Sequence, residues 1–205
     1  MNTTDFTPEE SFDIIKKAIS NSKMNYKENS QVFLLWGWIL TLASLSTFFL
    51  LKFLNSNQAH ELTTGIWAYK GLFTLGNWLL FCLAGFIIMY FMVRKINKNK
   101  KIISHIDKFV NNLWWVTMAA FFIAIFICIK MRIDPPLIML LIAGIATTTT
   151  GLTIKFKPLI LGGMTFFIFS VAATFVTNEY SALIVSVAIL CGYVIPGYFL
   201  KSAKE

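Results

Sequence analysis

The densest run of hydroxyl side chains is Thr147-Thr148-Thr149-Thr150, closed by Gly151 and followed by Lys155, Lys157 and Gly162-Gly163. Four consecutive threonines are costly in a plain lipid-facing helix, because each hydroxyl needs a partner and β-branching lowers helix propensity. Two lysines follow, and Pro158 opens the next apolar stretch beside them. A helix N-terminus next to lysines suits an anion or a lipid headgroup. Thr148, Thr150, Lys155 and Lys157 are therefore a candidate anion or lipid-headgroup site. In the competing reading the threonines bond back to their own helix and end it, and the lysines mark one side of a membrane.

Little else in the sequence has the spacing of a reactive site. His60 stands beside Glu61 in a polar segment, where an exposed histidine is ordinarily solvated. Cys82, Cys128 and Cys191 lie in three different apolar stretches and match neither a metal motif nor a disulfide framework. There is no phosphate-binding glycine loop and no nucleophile–base pair. No cofactor is expected, and the chain reads as a non-enzyme.

The elements that must position any site are apolar. Six stretches contain no Asp, Glu, Lys, Arg or His: Val32–Leu51, Leu72–Val93, Leu113–Ile129, Pro135–Ile154, Pro158–Val176 and Ala182–Leu200. A hydrocarbon core of about 30 Å takes roughly 20 residues of helix. The expected fold is all-α: a six-transmembrane-helix bundle over residues 31–205, preceded by an amphipathic helical segment over residues 1–30. A hydrophobic content of 57% and a mean hydropathy of +0.67 belong to the same class. Proton relay, voltage sensing, metal transport and intramembrane proteolysis generally need ionisable or polar groups at depth. Here the one amide well inside a stretch is Asn77.

The net charge of +8 is a topology signal more than a nucleic-acid signal, and no nucleic acid is expected. With alternate connections on opposite sides, 14 of the 18 Lys and Arg residues fall on the side of the two termini. The remainder are Lys52, Lys70, Lys130 and Arg132. Positive residues stay inside, so both termini are expected in the cytoplasm. The second connection, Arg94–Asn112, is the most charged, and its isoleucines are spaced like a short surface helix.

Thr7-Pro8-Glu9-Glu10 is a helix start: Thr7 suits the cap, Pro8 the first position and Glu10 a capping box. Phe12, Ile15, Ile19 and Tyr26 then line one face, interrupted by Ser22. This candidate interaction helix either lies on lipid or docks on protein. Asp134-Pro135 and Lys157-Pro158 are further helix starts. Small-residue stripes at Gly37/Thr41/Ser44, Thr117/Ala120/Ala124/Cys128 and Ala188/Gly192 suit close helix packing. Pro196 lacks an N–H for the Gly192 carbonyl, so Gly192, Pro196 and Gly197 form a candidate kink, static or hinged.

The segments Ser11-Phe12-Asp13-Ile14-Ile15, Phe33-Leu34-Leu35-Trp36-Gly37-Trp38, Thr150 to Leu159 with Gly162-Gly163, and Gly192-Tyr193-Val194-Ile195-Pro196-Gly197-Tyr198 carry a resemblance. Together they resemble a group of uncharacterised six-span integral membrane proteins common in Bacteroidota. The resemblance covers nearly the whole chain. It implies an inner-membrane location and transfers no catalytic residue.

Two functions fit these features. In the first, the protein is non-enzymatic and acts through protein or lipid interactions, its partners being membrane lipids and either a second copy or a membrane or cytosolic protein. The alternative is a small transporter or channel for a neutral or lipophilic compound, with a cavity lined by Thr41, Ser44, Thr117 and Thr148.

Overall fold

The structure is a computed structural model that describes residues 7–55, 70–99, 105–131, 133–176 and 179–202. His60 and Glu61 lie outside the described residues. Among the described residues there are helices and no strand. They are α1 (Pro8–Leu54), α2 (Lys70–Asn99), α3 (His105–Met131), α4 (Pro135–Thr153), α5 (Lys157–Ala172) and α6 (Tyr180–Ser202).

Five of these are long and apolar enough to cross a membrane: Ser30–Leu54 within α1, Gly71–Lys95 within α2, Ile106–Met131 within α3, all of α4 and all of α6. The fifth helix, α5, has 16 regular residues. At 1.5 Å per residue that is about 24 Å, short of a hydrocarbon core of about 30 Å. Its backbone pairing nevertheless continues past Ala172 by tightening. Ala173 donates to Phe169 O at 2.9 Å, Thr174 to Val171 O at 3.0 Å and Phe175 to Ala172 O at 3.1 Å. The apolar stretch Pro158–Val176 is thus a short α-helix with a 3₁₀-like final turn.

α1 starts at Pro8, as its start signal implies, and runs unbroken through residue 30 into the first span. Among the described residues of the charged connection Arg94–Asn112 there is no separate surface helix. α2 extends to Asn99 and α3 begins at His105, so each membrane helix absorbs its own flank. An isoleucine period near 3.6 looks the same in either case, and continuing an existing helix avoids the cost of a new nucleus. Asp134 is extended at the head of α4 but makes no side-chain capping bond. Pro135 alone carries that start, by removing an N–H that would have lacked a partner.

α6 is the centre of the bundle. It has 56% of its most apolar window buried, against 6% for α2. It packs on α1 along its whole length and on α5, while α2 leans on α1 and α3 on α4. Lipid is as apolar as leucine, so these contacts come from close packing and hydrogen bonds, and small residues set them. A Cβ on Gly37 of α1 would lie 2.8 Å from Val194 Cγ2 and 3.2 Å from Tyr193 Cβ. On the same α1 stripe Ser44 donates to the Ala182 carbonyl of α6 at 2.6 Å. Thr117, Ala124 and Cys128 form the buried face of α3.

The tightest seam is the α4–α5 hairpin. A Cβ on Gly151 would sit 2.7 Å from the amide nitrogen of Ile160, and one on Gly163 would sit 2.5 Å from the amide nitrogen of Thr148. Ser170 of α5 ties the far end of the hairpin by donating to Leu137 O at 2.7 Å. Three residues connect the two helices. Lys155 donates to Leu152 O at 3.2 Å and Phe156 to Gly151 O at 2.9 Å. This pair of bonds is a Schellman motif, which requires a left-handed residue at Lys155. Lys155 adopts it with φ 54°, in a position usually held by glycine.

Candidate functional site

The threonine run resolves residue by residue. Thr147 donates to Ala143 O at 2.7 Å, Thr150 to Ala146 O at 2.7 Å and Thr153 to Thr149 O at 2.8 Å. These are bonds back to the preceding turn, the commonest way to satisfy a hydroxyl inside a membrane helix. The Thr148 hydroxyl oxygen is sealed within the hairpin and has no hydrogen-bond partner. It abuts Gly163, where a Cβ would collide with it. The glycine Cα–H stands where that Cβ would be and can act only as a weak donor. Lys155 and Lys157 are exposed at the turn. The four residues of the candidate anion site therefore divide: Thr148 is closed off against Gly163, Thr150 bonds back within its own helix, and the two lysines are exposed.

A second cluster joins residues far apart in sequence. The Tyr193 ring of α6 is buried edge-on to Phe166 of α5, with centroids 4.8 Å apart. Phe33 of α1 lies 6.2 Å away and Trp114 of α3 lies 6.3 Å away, and these two contact each other at 6.0 Å. The Tyr193 hydroxyl pairs with the Thr147 side chain of α4. One residue thereby touches every helix except α2. In the sequence Phe33 and Tyr193 stand only as parts of the segments Phe33-Leu34-Leu35-Trp36-Gly37-Trp38 and Gly192-Tyr193-Val194-Ile195-Pro196-Gly197-Tyr198. Their meeting has no local signal in the sequence beyond Gly192 beside Tyr193.

The backbone at Tyr193 explains its reach. Leu190–Val194 forms a π turn, closed by the Ile195 amide donating to Leu190 O. A π turn inserts one extra residue and turns the following helix relative to the preceding one. It falls immediately before Pro196, whose missing N–H already interrupts the α-helical ladder. Gly192 sits in the turn under the Phe166 ring. A Cβ on Gly162 of α5 would lie 2.6 Å from Pro196 Cγ and 2.7 Å from the Gly192 carbonyl. Gly197 packs on Leu34 of α1, 3.0 Å from a Cβ at that position. Gly192, Pro196 and Gly197 are therefore three contacts of one packed segment.

Asn77, the single deep amide, fastens α2 to α1. Its side-chain NH₂ donates to Ala43 O at 3.1 Å and to Thr47 Oγ1 at 3.0 Å, while Ser46 donates to its carbonyl oxygen at 2.9 Å. Farther along the same interface Trp36 Nε1–H points at Met89 Sδ, 3.1 Å away. Asn77→Leu is expected to cost about 1 kcal/mol, within the range for hydrogen bonds between membrane helices. Unfolding measured in the Asn77→Leu/Ser46→Ala double-mutant cycle checks this. A coupling near zero would mean that the bond contributes nothing.

Of the candidate interaction helix, Phe12 is exposed. The side chains of Ile15, Ile19 and Tyr26 lie outside the described residues. Thr41 donates to Gly37 O at 2.7 Å and Thr117 to Leu113 O at 2.8 Å. With Ser44 bonded to α6, three of the four hydroxyls proposed to line a cavity are engaged by carbonyls of the bundle. The described cysteines are free thiols, and no group of three or more metal-ligating side chains occurs among the described residues.

The helices define a multi-pass helical membrane protein. Comparison of the chain with protein-family models, curated proteins and solved structures finds no match.

Proposed function

We propose that this chain is a six-span inner-membrane protein with both termini in the cytoplasm, non-enzymatic, acting through interactions made at its cytoplasmic side. The observation that carries this reading is where the polar groups are used. Within the spans the hydroxyls of Thr41, Ser44, Thr47, Thr117, Thr147, Thr150 and Ser170 all donate to backbone carbonyls. Uncommitted charge lies at the helix ends that the charge asymmetry assigns to the cytoplasm. α5, extended by its tightened last turn, supplies the sixth crossing.

α1 supports a protein partner over a helix lying on lipid. About 33 Å of helix precedes Ser30 at 1.5 Å per residue, and it continues into the span without a break. A helix lying in the interface plane would need a sharp bend there. The transporter alternative draws on one observation, the unpartnered Thr148 hydroxyl within the bundle.

Reporter fusions at residues 1 and 205 are expected to give cytoplasmic signals. A periplasmic signal from either sinks the six-span orientation. A photo-crosslinker at Phe12 in intact cells is expected to capture protein. Capture of lipid alone would return the helix to the membrane surface.

A further inference from the structure

We propose that the cytoplasmic end of the bundle is a collar for anionic phospholipid headgroups, a reading that rests on the orientation proposed above. Six exposed cations lie at that end: Arg94 and Lys95 on α2, Lys108 on α3, Lys155 and Lys157 at the α4–α5 turn, and Lys201 on α6. Asp107 on α3 is the acidic residue described near them, and it is half-buried with a partner of its own. At the opposite end, the charged side chains that the structure describes are Lys52, Lys130, Asp134 and Glu179, two of each sign, and Glu179 accepts from Asn55 at 2.9 Å.

The distribution identifies the partner. The cations stand at the ends of different helices, from peripheral α2 and α3 to central α6. Among the described residues no hydrogen bond joins any of them to a buried polar side chain. Such a ring fits a plane of anionic headgroups better than one small anion. Each cation at an anionic leaflet is worth about 1 kcal/mol, or roughly fivefold in lipid partition. Exposed aromatic rings lie at the same level. Arg94 sits over the Tyr90 ring with 5.2 Å to its centroid, and Tyr198 precedes Lys201 by less than a turn. Aromatic side chains beside snorkelling cations mark the headgroup region.

Lys155 makes the test clean. Glycine at that left-handed position removes backbone strain together with the charge, so Lys155→Gly is not expected to unfold the hairpin. The full chain is reconstituted in phosphatidylcholine discs with and without phosphatidylglycerol. Retained lipid is counted by mass spectrometry, and unfolding temperature is recorded. Phosphatidylglycerol is expected to be enriched severalfold around the parent protein and to raise its unfolding temperature, and raised salt should reverse both effects.

In Lys155→Gly/Lys157→Gln the enrichment should fall about twofold, with no loss of unfolding temperature in pure phosphatidylcholine. Arg94→Gln/Lys95→Gln should lower it independently. Equal retention of both lipids by the parent protein overturns the proposal, as does enrichment that survives all four substitutions. Stabilisation by millimolar inorganic phosphate alone would also overturn it, in favour of a compact anion site. Periplasmic reporters would remove the inner-leaflet assignment while leaving the lipid preference measured in discs intact.

Discussion

Gly163→Ala is expected to destabilise the bundle by about 3 kcal/mol, at the upper end of the usual cost of overpacking. The added methyl would meet the backbone of Thr148, 2.5 Å from its nitrogen and 2.8 Å from its Cα, as well as its hydroxyl. A flexible side chain could swing away; a helix backbone cannot. The α4–α5 seam would have to open by several tenths of an ångström or more. Gly144 and Gly151 are fitted to the same partner helix, so the displacement cannot be absorbed locally. Gly76→Ala on α2 is the control. Nothing lies within 4 Å of the added carbon, and alanine is the better helix former. Reversible unfolding in mixed micelles should place this control at or slightly above the parent. A cost below about 1 kcal/mol for Gly163→Ala would show that the seam is looser than its geometry.

Tyr193→Ala is expected to cost about 3 kcal/mol as well, for a different reason. It would empty the space between Phe33, Trp114 and Phe166, removing three ring contacts at once. Large-to-small substitutions of aromatic residues in water-soluble cores cost about 3–5 kcal/mol. The lower figure applies here because the unfolded reference chain is already in lipid, so the loss is mainly of packing. Tyr193→Phe separates ring from hydroxyl. It forfeits only the pairing with Thr147 and should cost about 0.6 kcal/mol. The same unfolding assay reads both variants. Similar costs for Ala and Phe would mean that the hydroxyl, not the ring, holds the cluster.

These two sites differ in how far the sequence announces them. Gly162-Gly163 stands out in the sequence after the threonine–lysine run, but the small-residue stripes that suggest close packing lie elsewhere, and nothing along the chain sets Gly163 against Thr148. The Tyr193 cluster was not visible. Its members are 33, 114, 166 and 193 in the chain, and in an apolar sequence an aromatic residue on a span is unremarkable. The π turn was hidden too. Pro196 announces a fault in the ladder, but the extra residue upstream is stabilised by Phe166 over Gly192 and by Gly162 against Pro196, which lie on another helix. The threonines show the same division. Their need for partners follows from their chemistry, and back-bonding was one of two readings. That the Thr148 hydroxyl is buried without a partner, against Gly163, is legible only in the folded hairpin.

What the sequence determined by itself is what depends on local composition. Charge-free runs near 20 residues become apolar helices because lipid leaves a backbone no other way to pair its N–H and C=O groups. Pro8, Pro135 and the lysine-proline start of α5 mark helix heads for a similarly local reason. Only the tertiary structure decided which helix is central and which faces meet. In water, hydrophobicity ranks the faces of a helix, burying the apolar one. In lipid every apolar face is already satisfied, so contact falls to shape: a glycine opposite a backbone, a ring opposite a glycine, a serine opposite a carbonyl. Those complementarities join residues more than a hundred positions apart, such as Ser44 and Ala182, and no pattern along one helix contains them.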